Sequence, residues 1–198
     1  MNVLVVYCHP SSDSFTCKVK ESFLRGLSQA GHSFEVADLY AMGFETDFSQ
    51  EEYNREAFYR EDLDVPEDVC EQQVKINNAD AIAFIYPVFW TEAPAKLVGW
   101  FQRVWTYGFA YGNRRMKLLE KALFLVTMGG SLKDEIRREQ VEAMKTVMIG
   151  DRMADRVKNS EMIVFDEMSR EYLSPDEREK RIELFLGQAY DAGFAFEK

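Results

Sequence analysis

The chain has 198 residues, of which 46% are hydrophobic and 14% aromatic, and its formal net charge at pH 7 is −10. This length and composition predict one folded domain over residues 1–198 and exclude a largely disordered chain. The negative charge argues against a surface that binds nucleic acid and against attraction to an anionic membrane.

Apolar segments of strand length alternate along the chain with segments of helical periodicity. The predicted strands are residues 2–10, 33–40, 81–87, 121–130 and 161–168. The predicted helices are residues 14–32, 65–80, 93–105, 131–157 (mostly helical) and 174–193, with one short helix in the charged excursion 41–66. The alternation predicts an α/β fold: a flavodoxin-like, doubly wound five-stranded parallel sheet in the order 2-1-3-4-5, with helices on both faces.

The three cysteines, Cys8, Cys17 and Cys70, form neither a CxxC pair nor the spacing of a metal site. Free thiols are typical of the reducing cytoplasm, which is the expected location. The first apolar run begins at Val3, so no signal peptide is expected before it. We predict no metal ligands and no insertion into a membrane.

Ligands of doubly wound sheets bind beyond the carboxyl ends of the strands, where the strand order reverses. This rule selects three loops: His9–Thr16, Pro87–Pro94 and Thr127–Ser131. In the first loop, hydroxyl groups and the free N–H groups of a helix start are suited to a phosphate, although no GxGxxG or P-loop motif is present. The simpler alternative is that Ser12 or Ser14 only caps the helix.

The second loop lies between two prolines, which restrict its backbone. We expect the N–H groups of Val88, Phe89 and Trp90 to face a planar heterocycle, with the Trp90 ring along its edge; the alternative is that Phe89 and Trp90 are core residues. In the third loop, Gly129 and Gly130 allow a ligand close to the backbone, but an ordinary strand-to-helix turn also favours glycine.

The helix after Pro94 carries more apolar surface than one sheet face requires. At about 100° per residue, six positions cover an arc of roughly 160°: Leu97, Val98, Trp100, Phe101, Val104 and Trp105. Three more aromatics follow this helix: Tyr107, Phe109 and Tyr111. We interpret the surplus as contact with a second subunit, with deep burial in the helix's own domain as the alternative.

Acid–base groups are few. The chain has two histidines, and the second, His32, follows the helix-capping Gly31, where a surface position is expected. No Ser-His-Asp set can be assembled with His9 or His32. A predicted ligand site with few acid–base residues is typical of a protein whose bound cofactor carries out the chemistry.

Three motifs, in this order, resemble the flavin-dependent NAD(P)H:quinone oxidoreductases of the flavodoxin-like fold. They are VLVVYCHP…SF, ADAIAFIYPVFWTEAPAKLVGWFQRVWTYGFAYG and LVTMGG; DLYAMGF (Asp38–Phe44) is also similar to the family's segment after strand 2. That family includes animal quinone reductases, the bacterial modulator-of-drug-activity type and ancillary subunits of potassium-efflux systems. The resemblance, which covers residues 1 to about 131, implies a homodimer with two flavin sites at its interface. It also implies FMN or FAD as cofactor, NAD(P)H as donor and a quinone or similar flat aromatic acceptor.

The resemblance also implies roles for individual residues. It assigns residues from each of the three loops to the cofactor. Those around the phosphate are His9, Ser14, Phe15 and Thr16, with Gln73 nearby. Those along the isoalloxazine edge are Pro87, Val88, Phe89 and Trp90, and those beside the ring are Thr127, Met128, Gly129 and Gly130. It points to three residues for catalysis: Trp90, Gly129 and Tyr111, the last from the second subunit. The Tyr and His that assist hydride transfer in the animal enzymes have no counterpart in SLKDEIRREQ, residues 131–140.

Two other functions suit the same fold. A one-electron flavodoxin-type carrier fits the acidity, but the aromatic segment would cover the flavin edge that a carrier exposes. A flavin-binding regulatory or ancillary subunit of a membrane transport system is the other. A phosphorylatable receiver domain is rejected, because Tyr86 and Pro87 stand at the end of strand 3, where it needs an acidic residue.

Overall fold

A computed structural model describes residues 1–197. Its five strands form a single sheet and are β1 (Asn2–Tyr7), β2 (Ser33–Asp38), β3 (Ala81–Pro87), β4 (Leu119–Thr127) and β5 (Val157–Phe165). The sheet order is β2-β1-β3-β4-β5, and all four pairings are parallel. The predicted fold class and strand order are therefore confirmed.

Helices occupy the connections between the strands. They are α1 (Phe15–Gln29), α2 (Gln50–Ala57), α3 (Glu67–Asn78), α4 (Ala95–Val104), α5 (Glu135–Lys145) and α6 (Pro175–Phe194). After α5 the chain continues as a wider π-helical turn (Thr146–Met153) and a 3-10 turn (Ala154–Arg156). The short helix expected in the excursion is α2. No helix within residues 1–197 is both long and apolar enough to cross a membrane.

Both faces of the sheet are covered, and each has its own core. On one face, α1 and α6 pack against side chains such as Val5 and Phe165. On the other face, α3, α4 and the π-helical turn pack against side chains such as Val6 and Phe84. Every residue of β3 is buried, as expected of a central parallel strand.

Four strands end earlier than predicted. β1 ends at Tyr7 rather than at residue 10, and β2 ends at Asp38 rather than at residue 40. β5 ends at Phe165 rather than at residue 168, because the chain leaves the extended conformation at Glu167, whose φ is +56°. β4 ends at Thr127, so Met128–Gly130 belong to the following loop. The N–H of Glu167 then donates to the carbonyl of Gly130 at 2.8 Å, which joins the two loops beyond these strands.

The apolar arc of α4 is buried within its own domain. Leu97, Trp100 and Val104 are 0% exposed and Phe101 is 3% exposed. The Trp105 ring packs on Trp100 and Phe101, and its indole N–H donates to a backbone carbonyl at 2.8 Å. The alternative, burial within the helix's own domain, is therefore confirmed for these four positions. Val98 and Trp105 are partly buried, and contact of the arc with a second subunit stays a prediction.

Candidate active site

The three predicted loops meet at the carboxyl edge of β1, β3 and β4. The N–H of Val88 donates to the carbonyl of Thr127 at 2.9 Å and joins the second loop to the third. The hydroxyls of Thr16 and Thr127 lie 2.7 Å apart and join the first loop to the third. Both threonines are buried, so their side chains hold the loops together rather than lie open to a ligand.

The first loop ends in a helix N-terminus with free donors. Ser14 is the N-cap of α1, and its Oγ accepts the N–H of Cys17 at 3.0 Å, so the capping role considered for Ser14 is confirmed. The N–H groups of Phe15 and Thr16 donate to no atom of residues 1–197. Such a helix start attracts anions, and a phosphate would suit it.

His9 offers this loop a neutral donor rather than a charge. Its Nδ1 accepts the N–H of Ser11 at 2.9 Å, which leaves Nε2 to carry the ring proton. Partial burial lowers the pKa of His9 below its ordinary value of 6.5. The imidazole is therefore uncharged at neutral pH.

The second loop ends in a two-residue hairpin turn. Phe89 and Glu92 exchange backbone hydrogen bonds of 2.8 and 3.0 Å, and the φ angles of Trp90 and Thr91 between them are +51° and +64°. These are the φ signs of a type I′ turn, in which Asn and Gly are the usual residues. Trp90 is 100% exposed and Phe89 is 47% exposed, so neither is a core residue.

Two of the three N–H groups expected to face a ligand are already bonded inside the chain. Val88 donates to Thr127, and Phe89 donates to Glu92. The N–H groups of Trp90 and Thr91 donate to no atom in the described part of the chain. The expected set of donors in this loop is corrected to Trp90 and Thr91.

The glycines of the third loop are not required by the local fold. Neither Gly129 nor Gly130 has a left-handed φ. A Cβ on Gly129 would lie 3.6 Å from the Ser169 side chain, and one on Gly130 would meet the flexible side chain of Arg137 at 3.0 Å. Neither glycine N–H donates to an atom of residues 1–197. These N–H groups are therefore open to solvent or to a ligand that approaches the backbone.

A cleft of about 200 Å³ separates the second and third loops, and we refer to it as the cleft. It is lined by Val88, Trp90, Thr91, Met128, Gly129, Gly130, Arg137, Gln140 and Met144. Sites that enclose a small molecule usually measure about 300–1,000 Å³. The cleft alone is smaller than this range, so a small molecule enclosed there would need further walls. Another groove, of about 710 Å³, lies beside Met1 at the opposite edge of the sheet.

Two carboxylates at the end of β5, which the sequence did not single out, fix the third loop. Asp166 accepts the N–H of Leu132 at 2.8 Å, and Glu167 accepts the hydroxyl of Ser131 at 2.6 Å. Arg181 of α6 pairs with both, at 3.1 Å and 2.6 Å. Glu167 is 2% exposed, and its hydrogen bond with Ser131 is the main cause that lowers its pKa.

Gln73 and Tyr111 lie apart from the cleft of the same chain. α4 begins just after the second loop and has 10 residues, so its far end is about 15 Å away. Gln73 donates to the carbonyl of Val104 at that far end, at 3.1 Å, and the Tyr111 hydroxyl donates to Glu56 at 2.7 Å. The roles predicted for both stay predictions, and they require a second subunit to bring either residue near Trp90.

A model of the flavodoxin-like fold family matches residues 1–154. The chain belongs to this family. A solved NAD(P)H:quinone oxidoreductase from Methanothermobacter marburgensis is 43% identical, with a TM-score of 0.90 over 100% of this chain and 98% of that one. NAD(P)H dehydrogenase [quinone] 1 of Cavia porcellus is 34% identical over 147 residues, which are 65% of this chain and 53% of that protein. The chain spans 53% to 64% of the length of such curated relatives.

A more distant neighbour shares the fold alone. It is an FMN-dependent NADH-azoreductase from Bacillus anthracis, solved in complex with FMN. It is 13% identical to this flavodoxin-like protein, with a TM-score of 0.71 over 100% of this chain and 99% of that one. Within residues 1–197, no group of three or more His, Cys, Asp or Glu side chains could hold a metal ion.

Thr91→Gly is expected to stabilise the fold. A β-branched residue at a φ of +64° is strained by about 1–3 kcal/mol, which glycine avoids. Because glycine also gains entropy on unfolding, the net rise in the free energy of unfolding should be about 1 kcal/mol by urea denaturation. The matched control is Thr146→Gly, where φ is −57° and the same change should lower stability. A loss at Thr91 as large as that at Thr146 would contradict the strain at the turn.

Proposed function

We propose that this protein is a flavin-dependent NAD(P)H oxidoreductase that passes two electrons to a quinone or a similar flat acceptor. The observation that carries the proposal is the third loop, where Gly129 and Gly130 present unbonded N–H groups without any local need for glycine. The names of relatives at 34% and 43% identity support the same reaction class.

The residues at the cleft fit FMN or FAD. The N–H groups at the start of α1 would hold a phosphate. The N–H groups of Gly129 and Gly130 on one side, and of Trp90 and Thr91 on the other, would bond the polar edges of a flat ring system. When bound, the flavin would supply the two-electron chemistry that the side chains of this site lack.

The protein's own contribution is binding, orientation and charge. The exposed Trp90 ring would form a wall beside the cofactor, against which a nicotinamide or quinone could stack. Hydride transfer needs the reacting atoms about 3–3.5 Å apart, so such a wall raises the rate by positioning. The N–H groups of Gly129 and Gly130 would stabilise negative charge on the reduced ring. Because the donor and the acceptor need the same ring face, we infer that they use the cleft in turn.

Purified protein supplied with micromolar FMN or FAD should retain about one flavin per chain, as expected of a single formed site. The mass of the released cofactor distinguishes FMN from FAD. Initial rates with NADH or NADPH, measured at several acceptor concentrations, should give parallel double-reciprocal lines. Failure to retain flavin would refute the cofactor, and intersecting lines would refute the shared cleft.

We also propose a homodimer, on different grounds from the apolar arc of α4. The segment between β2 and α3 exposes six large apolar side chains, each by 38–66% of its area: Tyr40, Met42, Phe48, Tyr53, Phe58 and Tyr59. Exposed apolar surface of this extent is typical of a protein–protein contact. A second copy that covered it could bring its own Tyr111 to the Trp90 turn, which one chain cannot do.

Light scattering at micromolar concentration should give twice the chain mass of 23.0 kDa. The double variant Tyr53→Glu/Phe58→Glu should be monomeric, because two buried charges would disrupt an interface of roughly 2,000 Å². Leu184→Glu is the matched control: it is 59% exposed, on the other face of the sheet, and should remain dimeric. A monomer mass for the unaltered protein would refute this part of the proposal.

We further infer that residues 1–198 act as one flavin-binding domain in the cytoplasm. The two cores lie on opposite faces of one sheet, which supports a single unit. Cys8, Cys17 and Cys70 are unpaired, which suits a reducing compartment. A second copy and small flat substrates are the partners proposed, and the net charge of −10 does not suit nucleic acid.

A further inference from the structure

Arg137 is the one cation that lines the cleft among residues 1–197. Its Nε lies 3.0 Å from the point where a Cβ on Gly130 would stand, so the side chain packs against Gly130 of the third loop. Its guanidinium donates to the Gln140 side chain at 2.8 Å, and Gln140 is an uncharged residue that also lines the cleft. Within the described residues no carboxylate pairs with Arg137, although the chain is strongly acidic.

The position of Arg137 does not favour the stability of the fold. Arg137 lies in the first turn of α5, where the helix dipole disfavours a cation. The neighbouring Arg138 compensates by donating to the carbonyls of Leu132 and Lys133 at 2.9 and 2.8 Å. Arg137 makes no such bond to the backbone and is exposed. The cleft is thus bordered by a positive charge that has no carboxylate partner among the described residues.

We propose that Arg137 is a catalytic residue, which stabilises the negative charge of the reduced flavin. This assignment rests on the proposed function, since it requires a flavin in the cleft. NAD(P)H gives up a hydride, which is one proton with two electrons, and leaves as NAD(P)⁺. A flavin bound in the cleft would then carry one added negative charge, which the acceptor would remove by taking the hydride together with a proton from water.

The charges on this side of the cleft act together. The N–H groups of Gly129 and Gly130 carry partial positive charge, and the guanidinium of Arg137 adds a full one that can donate charge-assisted hydrogen bonds. The oxidised ring is neutral and gains little from it, so the guanidinium favours the reduced state selectively. Residues 131–140 contain no Tyr or His. Of their three cations, Lys133 pairs with Glu167, Arg138 donates to backbone carbonyls, and Arg137 lines the cleft.

The first test is a redox titration of the flavin-loaded protein. In Arg137→Gln the affinity for reduced flavin relative to oxidised flavin should fall about tenfold, which lowers the midpoint potential by about 30 mV for a two-electron couple. Arg137→Lys keeps the charge and should retain most of the potential. Lys145→Gln is the matched control, because it removes one charge from the same helix about 12 Å away, beyond the Debye length.

The second test uses sulfite and needs no NAD(P)H. The sulfur lone pair of sulfite forms a bond to the oxidised flavin and leaves negative charge on the ring, which bleaches its visible absorbance. The dissociation constant for sulfite should rise about tenfold in Arg137→Gln and stay unchanged in Lys145→Gln.

An unchanged potential and sulfite affinity in flavin-loaded Arg137→Gln would overturn the assignment. A raised KM for NADPH with no change in potential would also overturn it, since Arg137 would then bind the dinucleotide instead. A protein that retains no flavin at all would refute the proposed function, and this assignment with it. Flavin content is measured first in every variant, so the two failures are distinguishable.

Discussion

Gly129→Val is expected to weaken flavin binding about a hundredfold, while the fold remains intact. The structure leaves ordinary room for a Cβ at Gly129, with the nearest side-chain atom at 3.6 Å, and its φ is not left-handed. The valine therefore strains little in the free protein. Its methyl groups would instead hold a flat ring away from the N–H groups of Gly129 and Gly130. Each lost hydrogen bond to the neutral oxidised ring costs about 0.5–1.5 kcal/mol, and two lost bonds reach about a hundredfold at the upper end of that range.

Flavin affinity is measured by fluorescence titration and the fold by circular dichroism and urea denaturation. Gly129→Ala, with one methyl group, should lose affinity by about tenfold, intermediate between glycine and valine. Gly187→Val is the matched control: no atom lies within 4 Å of a Cβ there, on α6, and the variant should bind flavin normally. Full flavin affinity in folded Gly129→Val would mean that no ligand approaches this backbone.

The architecture could be predicted because each strand has a local signature. β3, AIAFIYP, is apolar throughout and ends at a proline, and helical periodicity occupies the connections on both sides of it. Once five strands alternate with helices, the right-handed crossover rule leaves few topologies. The switch-point rule then locates the three loops without any knowledge of side-chain contacts.

The details that failed depend on contacts between distant residues or on rare backbone states. The Trp90–Thr91 turn contains neither Asn nor Gly. The local sequence therefore indicated neither its positive φ angles nor which backbone N–H groups the turn leaves unbonded. The width of the apolar arc of α4 can be read from the sequence. The hydrogen bond from the indole N–H of Trp105 to the carbonyl of Arg152, in a π-helical turn, cannot. Periodicity measures how much surface is apolar and does not identify what covers it.

Asp166 and Glu167 show the same limit at the site itself. They follow a strand at the carboxyl edge, a place where acidic residues could have been noticed. Their role, however, rests on bonds to the loop after β4 and to Arg181 of α6, far away in the sequence. The sequence shows that the two acidic residues are present, but not which residues they bond to. Those bonds are what allow them to fix the third loop.

Glu167→Gln is expected to lower the free energy of unfolding by about 2 kcal/mol at pH 7, the loss typical of hydrogen bonds to one charged group. Glu167 is 2% exposed and pairs with Lys133 at 2.9 Å and with Arg181 at 2.6 Å. Lys133 is largely exposed and Arg181 keeps its pair with Asp166, so the loss falls mainly on the partly buried pair of Arg181 with Glu167. Glutamine can keep the bond to Ser131 but cannot neutralise the two cations. Glu179→Gln, an exposed change on α6, is the control and should stay within about 0.5 kcal/mol.

The pH dependence separates this charge effect from a packing effect. The hydrogen bond from Ser131, and next Lys133, lowers the pKa of Glu167 below its ordinary value of 4.5. Its contribution is therefore fully present above about pH 4.5 and is lost as the pH falls through the lowered value. Urea denaturation from pH 7 to pH 3 should show the unaltered protein losing stability in that window, and Glu167→Gln losing less. A constant difference between the two proteins across the whole range would mean that the carboxylate charge does not hold the third loop, and that Glu167 acts through its shape alone.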